Sequence, residues 1–155
     1  MSDIIHEIGS DKKVRYDVYV DKGKHHLFQE LTEGKDAPFL TMKDVLLTAA
    51  CVGFNNESRI KLNTGEKIFS WKTFTPQIDH PFLHALALVA EGKDDVLIDQ
   101  DKILTVVEEY ANGGINDLYD TISKPGSKIS NLVNIILKKE EIEDTITSRG
   151  IEQPN

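Results

Sequence analysis

The chain has a single cysteine, Cys51, which excludes an internal disulfide and any all-cysteine metal site. No apolar run approaches the roughly 18 residues that span a bilayer, so no membrane segment is predicted. The opening MSDIIHEIGSDKK lacks the apolar stretch and small-residue cleavage site of a secretory signal, and a cytoplasmic protein is expected. Missing too are the glycine-rich phosphate loops G-x-x-x-x-G-K-[ST] and G-x-G-x-x-G, the nucleophile elbow G-x-S-x-G and the zinc helix H-E-x-x-H. Their absence removes the common nucleotide-binding, hydrolase and zinc-protease signatures. What remains is 155 residues with 39% hydrophobic and 28% charged side chains, enough for one ordinary domain with its own core.

Positive charge is scarce in the second half. Residues 1–72 balance 11 Lys and Arg against 11 Asp and Glu, whereas residues 73–155 carry 7 against 15 and hold the entire net charge of −8. Nucleic-acid affinity comes largely from Lys and Arg displacing counterions from phosphates, so any such contact is expected from the first half. There Lys12, Lys13, Arg15, Lys22 and Lys24 outnumber Asp17 and Asp21, with His25 and His26 alongside.

Periodicity divides the chain. KVRYDVYV alternates, with Val14, Tyr16, Val18 and Val20 on one face and Lys13, Arg15, Asp17 and Tyr19 on the other, the period of a half-buried strand. A short helix capped by Asp21 and stopped by Gly34 follows, then a second helix capped by Thr41 with Val45, Leu46, Ala49, Ala50 and Val52 inward and Gly53 as its stop. Residues 55–78 form a β-leaning connector with a hairpin expected around Asn63, Thr64 and Gly65. Helices are predicted from Asp79 to Gly92, from Ile103 to a break at Gly113 and Gly114, from Ile115 to Ile122, and over 128–139. The expected organisation is a flexible leader 1–12, one domain over 13–139 (units 13–54, 55–78 and 79–139) and a charged tail 140–155.

Strand, helix, helix within about 40 residues is the arrangement of the ribbon-helix-helix module, in which strands from two chains pair and their exposed face enters the DNA major groove. The fold class expected is therefore mainly α with short β: a ribbon-helix-helix-like N-terminal unit plus a helical C-terminal half. A homodimer through residues 13–20 would cover the strand edges. Arg15 would donate to a guanine edge and Lys13 to a base or phosphate, with Tyr19, Lys22 and Lys24 beside them. The N-terminus of the second helix, at Thr41 and Lys43, would hold a phosphate. Asp17 fits that ribbon poorly, and the same alternation also suits a strand at the rim of an ordinary α+β core.

Other clusters carry less. His80 and His84 are spaced to face one metal but have no third ligand in view, and Asp94, Asp95, Asp99 and Asp101 lack the glycine and glutamate of a calcium loop. Neither a metal nor another cofactor is expected. Cys51 sits in an apolar helix as a small hydrophobe, and Phe69, Trp71 and Phe74 read as core packing ahead of a base-stacking platform. A nuclease would need a defined acidic metal site, which a linker of closely spaced aspartates does not supply, so no enzymatic activity is expected.

FLTMKDVLLTAACVGF at 39–54, EEYANGGINDLYDTI at 108–122 and NLVNIIL at 131–137 together resemble the small accessory proteins found with bacterial Dnd DNA-phosphorothioation gene clusters. That family shows a helix of the form TxKDVxxxAAxxGF, a YANGG segment and a closing leucine-rich helix. The resemblance implies a role beside sulfur modification of the DNA backbone, or the restriction that depends on it, and carries no catalytic residues with it. Two functions are expected from it: a DNA-binding accessory protein contacting duplex DNA through the ribbon, or an acidic adaptor that docks other proteins of the modification or restriction complex.

Overall fold

A computed structural model describes residues 13–135 and 137. It is mainly helical, with a small antiparallel sheet near the N-terminus. In chain order come β1 (Asp17–Asp21), α1 (His25–Glu30), α2 (Met42–Asn55), β2 (Gly65–Ser70), a 3₁₀ turn (Trp71–Thr73), α3 (Asp79–Glu91), a second 3₁₀ turn (Asp94–Ile98) and α4 (Gln100–Ile122). Residues 128–135 are helical again; the rest of the helix expected over 128–139, apart from 137, lies outside the described residues, as do the leader 1–12 and the tail 140–155.

The order strand, helix, helix is present, but the strand's partner is not a twin. β1 pairs antiparallel with β2, Asp17 opposite Ser70 and Asp21 opposite Gly65, with an irregular register between Val18 and Tyr19. The other side of β1 is taken by α4: the Tyr19 N–H donates to Glu108 Oε1 at 2.8 Å, and the Arg15 N–H to Asp101 Oδ1 at 2.8 Å. Within one chain β1 thus pairs with β2 and docks on α4, where the sequence leads one to expect residues 13–20 to pair with a second copy. The alternation holds only in part. Val18 and Val20 are buried, while Val14 and Tyr16, ahead of the strand, point to solvent.

Helix boundaries follow local chemistry where a cap defines them. Thr41 is extended and its side chain accepts the Asp44 N–H at 3.2 Å, which starts α2. Gly92 takes a left-handed φ of 68° and ends α3. Asp21 does not cap α1. Its Oδ1 accepts from the Gly23 N–H at 2.9 Å and its Oδ2 from the Asn63 N–H at 2.7 Å, tying the turn after β1 to the approach to β2. Residues 59–62, expected as a strand of a local hairpin, are not one, because 65–70 pairs with β1 instead.

The larger departure concerns glycine. α2 runs through Gly53, and α4 runs 23 residues without a break through Gly113 and Gly114. These glycines mark where two backbones nearly touch. A Cβ on Gly114 would lie 2.0 Å from the Ala49 carbonyl oxygen, and one on Gly53 would lie 1.9 Å from that of Tyr110. α2 and α4 thus cross with no side chain between them, and this crossing is the main contact of the molecule. One apolar cluster gathers around it: Val45, Leu46 and Ala49 of α2, Leu104, Val107, Ala111 and Ile115 of α4, Phe28 of α1, Leu83 of α3, and Val18 and Val20 of β1. Each large side chain so buried contributes roughly 1.5–3 kcal/mol against exposure.

Candidate functional site

α4 is buried on nearly every side between Ile103 and Ile115, and polar groups go with it. Glu108 and Glu109 are adjacent, hence diverge around the helix, and each meets an arginine. Arg15 Nη1 lies 3.1 Å from Glu108 Oε2, and Arg59 Nε lies 2.6 Å from Glu109 Oε2, while Arg59 Nη1 reaches Glu91 at 2.7 Å. One turn on, Asn112 donates through Nδ2 to the carbonyls of Ile60 and Lys61, at 3.1 and 3.2 Å, and its own carbonyl oxygen accepts from Lys24 Nζ at 2.8 Å. Gly113 then admits the 58–60 segment, since a Cβ there would stand 1.9 Å from the Ser58 carbonyl oxygen. A single stretch of helix, EEYANGG, therefore binds the N-terminal strand, the connector and α2 at once.

An open groove of about 490 Å³ lies over this stretch, lined by Arg15, Tyr19, Lys61, Thr105, Glu108 and Glu109 among others. The Arg15 guanidinium sits 5.9 Å from the centre of the Tyr19 ring. Burial pushes the Glu108 carboxyl up to about 7, against the downward pull of the Tyr19 N–H and of Arg15; the neighbouring Glu109 adds to the rise. Three groups with hydrogen-bonding capacity here, Arg15 Nε and Nη2 and Asn112 Oδ1, are buried without a hydrogen-bond partner. The arrangement sets two largely buried carboxylates against partly exposed arginines and joins segments. It brings together no nucleophile with a base, and among the described residues no group of three or more His, Cys, Asp or Glu is set to hold a metal ion.

The family model described as DNA sulphur modification system-associated protein 4 matches residues 17–152. The chain belongs to that family. No curated protein and no solved structure matches it. The matched region opens on the first residue of β1 and contains both TMKDVLLTAACVGF and YANGG, the strings that carry the resemblance in the sequence. In this member of the DNA sulphur modification-associated family they are the two sides of one helix crossing: Ala49 and Gly53 belong to the first, Tyr110 and Gly114 to the second.

The residues expected to face DNA are distributed differently in this family member. Arg15 is held by Glu108, Lys24 by the Asn112 carbonyl, and Lys43 by Asp79 at 2.8 Å; Thr41 serves as the cap of α2. Burial works to raise Asp79, but Lys43 and the Thr75 N–H, which donates to Asp79 Oδ2 at 2.6 Å, outweigh it and leave this carboxyl lowered. Tyr19 is half-buried beside Arg15, and Asp17 pairs with Lys67 at 2.8 Å. Lys13 and Lys22 are exposed.

Among the remaining sequence candidates, Phe69 and Trp71 pack edge-on against buried Phe74, each with ring centres 5.4 Å apart. His80 stacks on Trp71 at 4.7 Å, with His84 at 6.1 Å from it. Cys51, expected as a small hydrophobe in an apolar helix, is exposed. Sequence reasoning missed Glu108 and Glu109. The signal was present in ILTVVEEYA, where Glu108 falls four residues after Leu104 and three before Ala111, inside the apolar stripe of the helix.

Proposed function

We propose that this chain is a non-enzymatic, cytoplasmic adaptor of a DNA sulphur modification system, docking another protein of that system without contacting DNA itself. The family places the chain beside DNA sulphur modification. The observation that carries the adaptor reading is the surface of its acidic half, where large apolar side chains stand in water: Ile78 at 72% exposure, Val89 at 65% and Ile98 at 91%. Exposed apolar side chains offer contact to a protein partner, and the acidic half that carries them repels a polyanion. The cations that would have met DNA support the same reading, since Arg15, Lys24 and Lys43 each answer to a group inside the molecule.

No helix among the described residues is long and apolar enough to cross a membrane. The test is co-expression of the chain with the other proteins of a DNA sulphur modification system, followed by size-exclusion chromatography with light scattering. A stoichiometric complex with one of them, formed without DNA and surviving nuclease treatment, is the expected result. A chain that elutes alone from every pairing overturns the adaptor. The direct DNA reading draws on Lys13 and Lys22, which are exposed, and predicts instead that complexes form only when duplex is present.

A further inference from the structure

A second groove, distinct from the one over EEYANGG, lies between the residues ahead of β1 and the start of α4. It encloses about 690 Å³, with Val14, Tyr16 and Ile98 among its lining. Tyr16 is 55% and Val14 46% exposed, and Ile98 is the most exposed of the three. Three large apolar groups left in water within one concavity cost free energy unless something covers them.

The walls cannot fold in to cover them. Gln100 Nε2 donates to the Arg15 carbonyl at 2.6 Å and the Trp71 N–H to the Tyr16 carbonyl at 2.6 Å, while the Arg15 N–H is held by Asp101. On the opposite side Asp99 Oδ1 caps α4 through the Lys102 N–H at 3.1 Å, and Val96 is buried beneath. The concavity is thus built by fixed backbone, and a ligand entering it spends little on ordering the site.

Its charge selects the occupant. Asp95 and Asp99 line the groove beside Lys102, Asp101 is engaged by the Arg15 N–H, and Asp94 precedes Asp95 in the second 3₁₀ turn. An acidic rim around an apolar floor disfavours nucleic acid. It suits a peptide segment in which an aromatic or branched aliphatic side chain is flanked by Lys or Arg. We infer that the groove of Val14, Tyr16 and Ile98 is the docking site for such a basic, apolar-anchored segment of the partner protein. This inference rests on the adaptor reading and names the surface that carries it.

The experiment is a titration of the full ¹⁵N-labelled chain with a synthetic peptide, KRLFKKLLRK, read by amide chemical shifts and by fluorescence anisotropy. Two controls accompany it: EDLFEELLED, with the charges reversed, and KRSGKKSSRK, without the apolar anchors. The expected result is saturable binding of the first peptide only, with shifts centred on Val14, Tyr16 and 97–102. Ile98→Ser and Asp95→Lys, both at exposed positions, are each expected to weaken it about tenfold, with unchanged circular dichroism melts. Shifts centred elsewhere, equal binding of the acidic or anchor-free peptide, or indifference to both substitutions would overturn the inference. The adaptor reading fails separately: a complex with a system protein that survives Ile98→Ser with Asp95→Lys removes the groove and leaves the adaptor, whereas no complex at all removes the adaptor.

Discussion

Glu108 is the residue on which opposing forces are most finely set. Burial penalises its charge, while Arg15 and the Tyr19 N–H favour it, and burial wins, leaving the carboxyl at about 7. A folded-state value above the unfolded one, 4.5 for this group, means that the folded chain holds a proton the unfolded chain has released. The resulting stability is complete below the unfolded value and declines as pH rises through about 7. The full gap corresponds to roughly 3–4 kcal/mol, of which the part above pH 5 is roughly 2–3 kcal/mol. Glu108→Gln keeps an acceptor for the Tyr19 N–H and removes the titration. Denaturant melts from pH 5 to 8.5 are expected to show the parent losing roughly 2–3 kcal/mol relative to this variant across the window, histidine contributions cancelling in the difference. Parallel curves would place the titration of Glu108 elsewhere. Asp21 behaves with the opposite sign. The Asn63 N–H, then the Gly23 N–H, hold its carboxyl below the usual value, so its contribution is present above the unfolded value of 3.8 and disappears as pH falls through the lowered one. Asp21→Asn is accordingly expected to flatten the acid limb of the same stability profile and to leave the limb above pH 5 unchanged.

At the scale of elements, the crossing of α2 and α4 depends on the absence of side chains. Replacing glycine by alanine within a helix ordinarily gains up to about 1 kcal/mol from propensity. Gly114→Ala is expected to do the reverse and cost about 3 kcal/mol or more, because its Cβ would meet the Ala49 carbonyl and the Gly53 backbone, which cannot rotate away. Gly92→Ala, with open space around it and only its positive φ to strain, is expected to cost about 1–2 kcal/mol. Urea midpoints for the two variants would check the order; a Gly114→Ala chain as stable as the parent would mean that the helices separate freely. The same crossing explains what the sequence disclosed and what it concealed. Thr41 was legible as a cap because its partner, Asp44, is three residues away, and Gly92 as a stop because its φ is a local matter. Gly53, Gly113 and Gly114 look identical to stops from within their own segments. Their meaning lies in backbone some 55–65 residues distant, which no local pattern contains. β1 was legible as a strand from Val18 and Val20, but its partner lies across α1 and α2, so alternation could not choose between β2 and a twin chain. The candidate site was hidden for a related reason: Arg15 and Lys24 count as surface charge until Glu108 and Asn112 arrive from α4.

At the scale of the molecule, electrostatics supplies the test of the proposed adaptor against direct DNA binding. The net charge is −8, and a phosphorothioate linkage carries the same single negative charge as the phosphate it replaces, so modified and unmodified duplexes are repelled alike at long range. Binding to duplex weakens with salt with a logarithmic slope of about −0.9 for each phosphate neutralised. With Arg15, Lys24 and Lys43 committed to internal partners, Lys13 and Lys22 are the exposed cations left of the expected DNA face, which supports a slope no steeper than about −2. On the proposed adaptor reading, contacts so few are expected to give no retention at physiological salt, where the Debye length is about 8 Å. Fluorescence titration of a labelled duplex, with and without one phosphorothioate linkage, from 50 to 200 mM salt is therefore expected to show no saturable binding to the isolated chain. A slope steeper than −2, reduced by Lys13→Ala with Lys22→Ala, would return the N-terminal segment to the DNA and require Arg15 to leave Glu108. That release would itself be visible, because without its arginine Glu108 loses an attraction that offsets burial, so its value rises further and the decline of stability extends to higher pH.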